Sequence, residues 1–445
     1  MARPGRAASC SKNSRFAFST ARARVLQCQC MRASAECPFS AKQEPVPEQR
    51  HRSSKQKVMR IGFISIVREP WGGSEELWAV AALELRASGH EVYISILRHE
   101  RTAPRLQQLI DAGCTVVYRK GFIRPGLPFK KRVPKKAWNF VSEKIQNPYQ
   151  PFFKIGLDVI VYTGACDSFK NDLNFVRAIG QSSLPLVNIN QVNWEYLRTF
   201  DDFEAEVIVR GHQRAQRNLF VSQRNLDVLE RFVAAKIPRA QVVRNPVNLK
   251  ETGMIAMPPE VPVQFGTVAN LLANHKGQDL LFDVLRQPRW LERNWHLNLY
   301  GEGIDENYLK RLCAFYGLSE RVTFHGKVAN IRAVWAANHL LVMPSRLEGT
   351  PLAMVEAMLC GRPVLMTDVG GHSEWVRDGI NGYLAEAANT LSLQRTLERS
   401  WTDRAQWTER GRVAYDDALR LYDPRPGATL AAIILETAKG NAHRW

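Results

Sequence analysis

No uncharged apolar run in this 445-residue chain approaches the roughly 18 to 20 residues that a membrane-spanning helix requires, so a helical span is not expected. Cysteine and histidine nowhere fall at metal-ligand spacing, and no Asp-x-Asp stands in a convincing loop, so neither a catalytic metal nor any other cofactor is expected. The glycine pair Gly72-Gly73 lacks the Gly-x-Gly-x-x-Gly spacing of a nicotinamide-binding turn, which argues against a dehydrogenase. Acidic residues are scarce: 43 Asp and Glu face 61 Lys and Arg, for a formal charge of +18. Half of that excess lies in residues 1–58, where twelve basic residues meet only Glu36, Glu44 and Glu48. Arg- and Ser-rich and without hydrophobic periodicity, this segment is read as a disordered basic extension or a mis-assigned start ahead of Met59, with an organelle transit peptide as the alternative.

What is present is a globular composition, 45% hydrophobic and 23% charged, in a chain too long for a single core. From Arg60 the order is strand (Ile61 to Ile66), glycine turn (Gly72-Gly73), then helix (Glu75 to Ser88), the opening of a βαβ unit. Short apolar runs recur at Val92–Ile96, Thr115–Tyr118, Val159–Tyr162, Leu186–Ile189 and Asn218–Val221, separated by helix-length stretches. The scheme repeats at Val263–Val268, His296–Tyr300, Val322–His325, Leu340–Met343 and Pro363–Thr367. Such alternation implies parallel sheets covered on both faces. The expected fold class is α/β: two facing Rossmann-like domains over 59–249 and 263–425, a Pro- and Met-containing linker at 250–262, and a C-terminal helix at 426–445 packing back toward the first domain. The singly scattered Cys114, Cys166, Cys313 and Cys360 suit a reduced, cytoplasmic protein.

The most specific segment runs Ser345-Arg346-Leu347-Glu348-Gly349-Thr350-Pro351-Leu352 and on through Glu356 to Gly361-Arg362-Pro363. A strand leads into a loop, Thr350 is placed to cap a helix, and Pro351 suits its first position. The free amides and dipole of that helix start, near Leu352, would favour a diphosphate, with Glu348 reaching the sugar and Glu356 the ribose. This segment resembles the Glu-x7-Glu motif of glycosyltransferase family 4, retaining enzymes of the GT-B fold, and Val369-Gly370-Gly371 and Asn381-Gly382 extend the similarity over most of residues 60–425. The resemblance implies a retaining, metal-independent hexosyltransferase that uses a nucleotide-diphosphate sugar as donor and a glycan or lipid-linked acceptor, in polysaccharide biosynthesis.

His275-Lys276-Gly277 resembles the Lys-Gly element whose lysine contacts donor phosphates, which implies a catalytic pair of Glu348 and Lys276. Asn270 and Leu271 stand where members of that family usually carry an Arg, so one cationic contact is missing. Gly301-Glu302-Gly303 resembles the nucleotide-side loop, although a plain turn explains the same residues, and Gly72-Gly73 resembles the glycine loop that reaches the donor from the other domain. No second carboxylate stands beside Glu348 as a glycosidase-type nucleophile, so front-face displacement is the expected chemistry. A non-hydrolysing sugar-nucleotide epimerase and a non-catalytic nucleotide-sugar binder are the rival readings. Between Asp111 and Glu143 no acidic residue occurs, while basic residues from Arg119 to Lys136 are interleaved with Phe122, Phe129, Trp138 and Phe140. That basic stretch, 119–136, suits peripheral contact with anionic membrane more than nucleic acid, for which no module is recognisable.

Overall fold

The computed structural model describes residues 57–119, 147–195 and 200–440. The basic extension, except Lys57 and Val58, and the stretch 119–136, except Arg119, lie outside these described residues.

The apolar runs of the first half become seven parallel strands: β1 (Arg60–Ser65), β2 (Glu91–Leu97), β3 (Thr115–Arg119), β4 (Val159–Gly164), β5 (Leu186–Asn190), β6 (Arg217–Phe220) and β7 (Ala240–Val242). Their order is β3-β2-β1-β4-β5-β6-β7. A second sheet holds β8 (Val263–Val268), β9 (Trp295–Tyr300), β10 (Val322–Gly326), β11 (Leu340–Met343), β12 (Val364–Thr367) and β13 (Gly382–Ala385), ordered β10-β9-β8-β11-β12-β13. Strands β7 and β13 were not expected from the sequence, because Ala240-Gln241-Val242 and Gly382-Tyr383-Leu384-Ala385 are too short to show a period. In both sheets the first strand of the half lies centrally, with its successor on one side and the returning strand on the other. That reversal of strand order opens a crevice beyond the carboxyl ends of β1 and β4, and another beyond β8 and β11. Gly72-Gly73 follows β1, Lys276 follows β8 and Glu348 follows β11, so the topology itself brings these residues to the crevices.

The helix Glu76–Ala87, preceded by the single 3-10 turn Gly73–Glu75, buries Leu77, Trp78, Ala81 and Leu85 against β1 and β2. The same core receives Leu430, Ile433 and Ile434 of the C-terminal helix Pro426–Gly440, whose Gly427 comes so close that an added Cβ would lie 3.0 Å from the Val80 backbone. In the second half the helices Leu352–Leu359 and Trp407–Leu421 share a core containing Met354, Met358, Ala414 and Ala418. Residues 250–262 form neither helix nor strand, yet they are pinned: the amides of Gly253 and Ile255 donate to Leu359 O (3.2 Å) and Cys360 O (3.1 Å), and Arg362 donates to Ile255 O and Ala256 O at 2.7 and 2.6 Å. Cys114, Cys166, Cys313 and Cys360 are buried free thiols, and burial pushes each one up. Among the described residues no helix is long and apolar enough to cross a membrane.

Candidate active site

Lys276 ends a helical turn, Ala273–Lys276, that is pressed against the loop leaving β11. The following Gly277 has φ +67°, and an added Cβ would stand 2.0 Å from Pro344 O, so only glycine permits this approach. Backbone amides of Arg346 and Leu347 donate to His275 O at 2.7 and 3.2 Å, tying the two loops together. Across that tie the Lys276 ammonium meets Glu348 Oε1 at 2.7 Å, and Ser345 Oγ donates to the same oxygen at 2.8 Å. Glu348 is only 6% exposed, so its negative charge is held in place by one cation and one hydroxyl. Arg346 could have replaced the missing arginine, but its guanidinium is spent on Asp279 (2.8 Å to each carboxylate oxygen) and on Ala273 O (2.7 Å). It braces the lysine turn.

Gly349 and Thr350 carry the second domain onto the first. A Cβ on Gly349 would fall 2.0 Å from Gln191 O, just past the end of β5, and Thr350 Oγ1 donates to Val221 O at 2.8 Å. The expectation that Thr350 caps the helix is therefore corrected: its hydroxyl serves the interdomain contact, Pro351 occupies the cap position with ψ 132°, and the helix begins at Leu352 without any side-chain cap. Its first amides keep their capacity to meet an anion. From the opposite wall, Gly73 lies against Leu352 Cδ1, 3.4 Å from where its Cβ would be. The loop Gly72-Gly73, the helix start and the Lys276–Glu348 pair thus converge on one seam.

Glu356 is placed one turn into the helix, but it faces the connecting segment and not open solvent. It is 2% exposed and accepts from the Asn248 amide at 2.8 Å; burial pushes its carboxyl up to about 7. Gly301 (φ +137°) and Gly303 have a structural reason of their own: Cβ atoms there would lie 2.0 Å from Ala269 O and 2.2 Å from Leu271 O, where the loops after β8 and β9 cross. Asn270 and Glu302 are exposed on that edge. Asn381 is a brace, donating to Trp375 O (2.9 Å) and Asp417 (2.8 Å).

Several contributors are not among the site residues expected from the sequence, although Gly370 belongs to the Val369-Gly370-Gly371 stretch that carries the resemblance. Gly370, at φ +54°, lies so near Glu348 O that a Cβ would stand 2.4 Å away, and its amide donates to Glu195 at 2.6 Å. Glu195 also accepts from Arg224, which reaches back to Asp368 at 2.5 Å, so three charged side chains latch the two domains. His372, fully buried, sets its Nδ1 2.5 Å from Thr367 O, leaving Nε2 without a partner among the described residues; burial pushes this imidazole down. Trp194 meets the His275 ring edge-on at 5.0 Å. Besides Gly370, only Trp194 had a usable signal, an aromatic placed just beyond a strand's carboxyl end. Among the described residues no group of three or more His, Cys, Asp or Glu is gathered as metal ligands would be.

Comparison with known proteins bears on the same residues. The model for the family "Glycosyl transferases group 1" matches residues 262–403. An uncharacterized glycosyltransferase of Methanocaldococcus jannaschii is 32% identical over 164 residues, covering 36% of this chain and 43% of its own. The lipopolysaccharide core biosynthesis mannosyltransferase LpsB of Rhizobium meliloti is 36% identical over 111 residues, 24% of this chain and 32% of the relative. The chain thus spans less than half the length of these curated relatives. Over nearly the whole described fold, the Anabaena protein HepE, crystallised with UDP and glucose, superposes with a TM-score of 0.62 at 20% identity, covering 86% of this chain and 100% of its own. A likeness at that identity establishes the architecture alone, two Rossmann-like domains in the GT-B arrangement. Lys276, the Gly301–Gly303 loop and both glutamates lie inside the segment, residues 262–403, that matches the group 1 glycosyl transferases.

Proposed function

We propose that the protein transfers a sugar from a nucleotide-diphosphate sugar to a glycan or lipid-linked acceptor, with retention at the anomeric carbon and without a catalytic metal. The observation that carries this reading is the 2.7 Å pairing of Lys276 with Glu348 at the uncapped start of the Leu352–Leu359 helix, inside the seam between two nucleotide-type folds. HepE, of the same architecture, is crystallised with UDP and glucose, which supports a nucleotide-sugar donor. LpsB is named for lipopolysaccharide core biosynthesis, which supports a role in polysaccharide biosynthesis.

In this reading the diphosphate occupies the helix start, opposite the Gly72-Gly73 amides, and Lys276 offsets the charge that grows on it as the bond to the anomeric carbon breaks. Glu348 orients the sugar and steadies its developing positive charge, while Glu356 serves the ribose. The acceptor oxygen then bonds to the anomeric carbon on the face the leaving group departs from, and its proton passes to the departing phosphate oxygen. The protein's part is to position and to stabilise charge. Asn270, Gly301 and Glu302 complete the nucleotide side.

Glu348→Gln keeps the shape of the side chain and removes the charge that faces Lys276. Transfer should fall by roughly two to three orders of magnitude while the fold, read by circular dichroism, is unchanged. Unimpaired transfer would overturn the assignment. The contact of stretch 119–136 with anionic membrane is tested by flotation with vesicles after Lys130, Lys131, Lys135 and Lys136 are neutralised. Unchanged flotation would remove that part of the proposal.

A further inference from the structure

Beside the seam lies a recess that the donor machinery does not use. It sits beyond the carboxyl ends of β4 and β5, encloses about 300 Å³, and carries three aromatic rings, Trp194, Phe200 and Phe232, together with Asp167, Lys170 and Asn193; Asn171 stands at its rim. Phe200 and Phe232 meet edge-on at 5.9 Å and form one wall. Asn193 is held by a 3.1 Å bond to Asn225 O.

The charge of the recess is informative. Among the described residues its one ammonium, on a Lys170 side chain only 3% exposed, is met by Asp167 at 3.4 Å and by Glu204 at 3.3 Å, and lies 5.2 Å over the Phe200 ring. A cation already answered by two carboxylates has little left to attract a phosphate or a uronate. What remains among the described lining residues is apolar ring surface bordered by amide and carboxylate groups. A pyranose presents the matching chemistry, with C–H faces to lay on aromatic rings and a girdle of hydroxyls that both donate and accept. The position is equally specific: Trp194 lines the recess and touches His275, the residue before Lys276, so the recess and the Lys276–Glu348 pair are separated by one aromatic contact.

We infer that this recess binds a neutral sugar ring of the acceptor, with Trp194, Phe200 and Phe232 as its platform and Asn171, Asn193 and Asp167 as its hydroxyl partners. The inference rests on the transferase reading for the word acceptor, and on the recess itself for the word neutral. Saturation-transfer NMR on the full chain, with the methyl glycosides of glucose, galactose, mannose and N-acetylglucosamine as probes and no nucleotide present, reads it directly. At least one glycoside should bind the natural protein, and binding should weaken about tenfold in both Phe232→Ala and Asn171→Ala. The thermal shift produced by UDP-glucose or by another nucleotide sugar should be the same in these variants as in the parent, which also shows that they fold. No binding of any glycoside, or binding undiminished in the two variants, would overturn the recess as a sugar site. Glycoside binding that behaves as described, with no nucleotide sugar giving a thermal shift, would sustain the recess and sink the transferase reading instead.

Discussion

The two walls of the seam are built on different terms. On the second-domain wall the functional side chains hang from backbone segments in near contact, and glycines at 277, 349 and 370 stand where a Cβ would lie 2.0 to 2.4 Å from a carbonyl oxygen. On the first-domain wall Gly72 and Gly73 have room for a Cβ, which would lie 3.7 and 3.4 Å from the nearest side chain, and side chains do the reaching: Trp194 and Glu195 from the loop beyond β5, and Arg224 from the start of the helix Gln223–Val233. A wall made of backbone holds charges to a fraction of an ångström, as stabilising a leaving group demands; a wall made of side chains tolerates exchange of the partner it binds.

That contrast can be broken from the rigid side first. Lys276→Ala removes the only cation hydrogen-bonded to Glu348 among the described residues and should lower transfer by roughly two to three orders of magnitude, more through kcat than KM, in steady-state assays with a nucleotide sugar. Gly349→Ala drives a methyl into Gln191 O and should hold the walls apart, costing about a hundredfold in transfer. Gly180→Ala, which meets nothing within 4 Å, is the matching control and should be neutral. On the adaptable side Arg224→Ala severs the latch between Glu195 and Asp368. Arg224 and Asp368 are partly exposed, whereas Glu195 is nearly buried and keeps, among the described residues, only the Gly370 amide, so the loss of stability should be about 1 to 2 kcal/mol, and the effect on transfer should appear as a few-fold rise in donor KM.

The smallest effect concerns protons. Burial pushes the carboxyls of Glu75 and Glu356 from an ordinary value of 4.5 up to about 7. The folded chain therefore keeps protons that the unfolded chain releases, so the contribution of these groups is full below 4.5 and is lost as the pH rises to about 7. Buried His212, pushed down to about 4, and His372 act in the opposite sense over part of that range. The double variant Glu75→Gln/Glu356→Gln isolates the carboxyl part. Its urea midpoint, compared with the parent's, should gain as the pH is raised through that window, and a constant difference would show that the two carboxyls titrate normally.

Legibility in the sequence follows the same division. All strands except β7 and β13 stood out because parallel strands buried on two faces leave unbroken apolar runs, as in Val159–Tyr162 and Leu340–Met343, whose residues are all buried. The loop from Ser345 to Leu352 was legible because residues that must form a backbone-built site are tightly constrained in type and spacing. Thr350 was misread for a physical reason: a threonine before Pro-Leu satisfies the local rule for a helix cap, and nothing local announces that Val221 O, in another domain, claims its hydroxyl. The latch residues Glu195, Arg224 and Asp368 were silent because ion pairs over 144 positions of chain leave no local pattern.

The route of the chain around the donor helix has a mechanical consequence. Val247 and Leu249 on the outward crossing, and Leu421 and Tyr422 on the return toward the terminal helix, all pack on the core that contains the Leu352–Leu359 helix. A door hung on two adjacent pins swings about the line through them and resists twisting. If the halves part to exchange substrates, as the proposed function requires, two adjacent crossings steer them back along one arc, so the start of the Leu352–Leu359 helix meets the opposite wall again without a search.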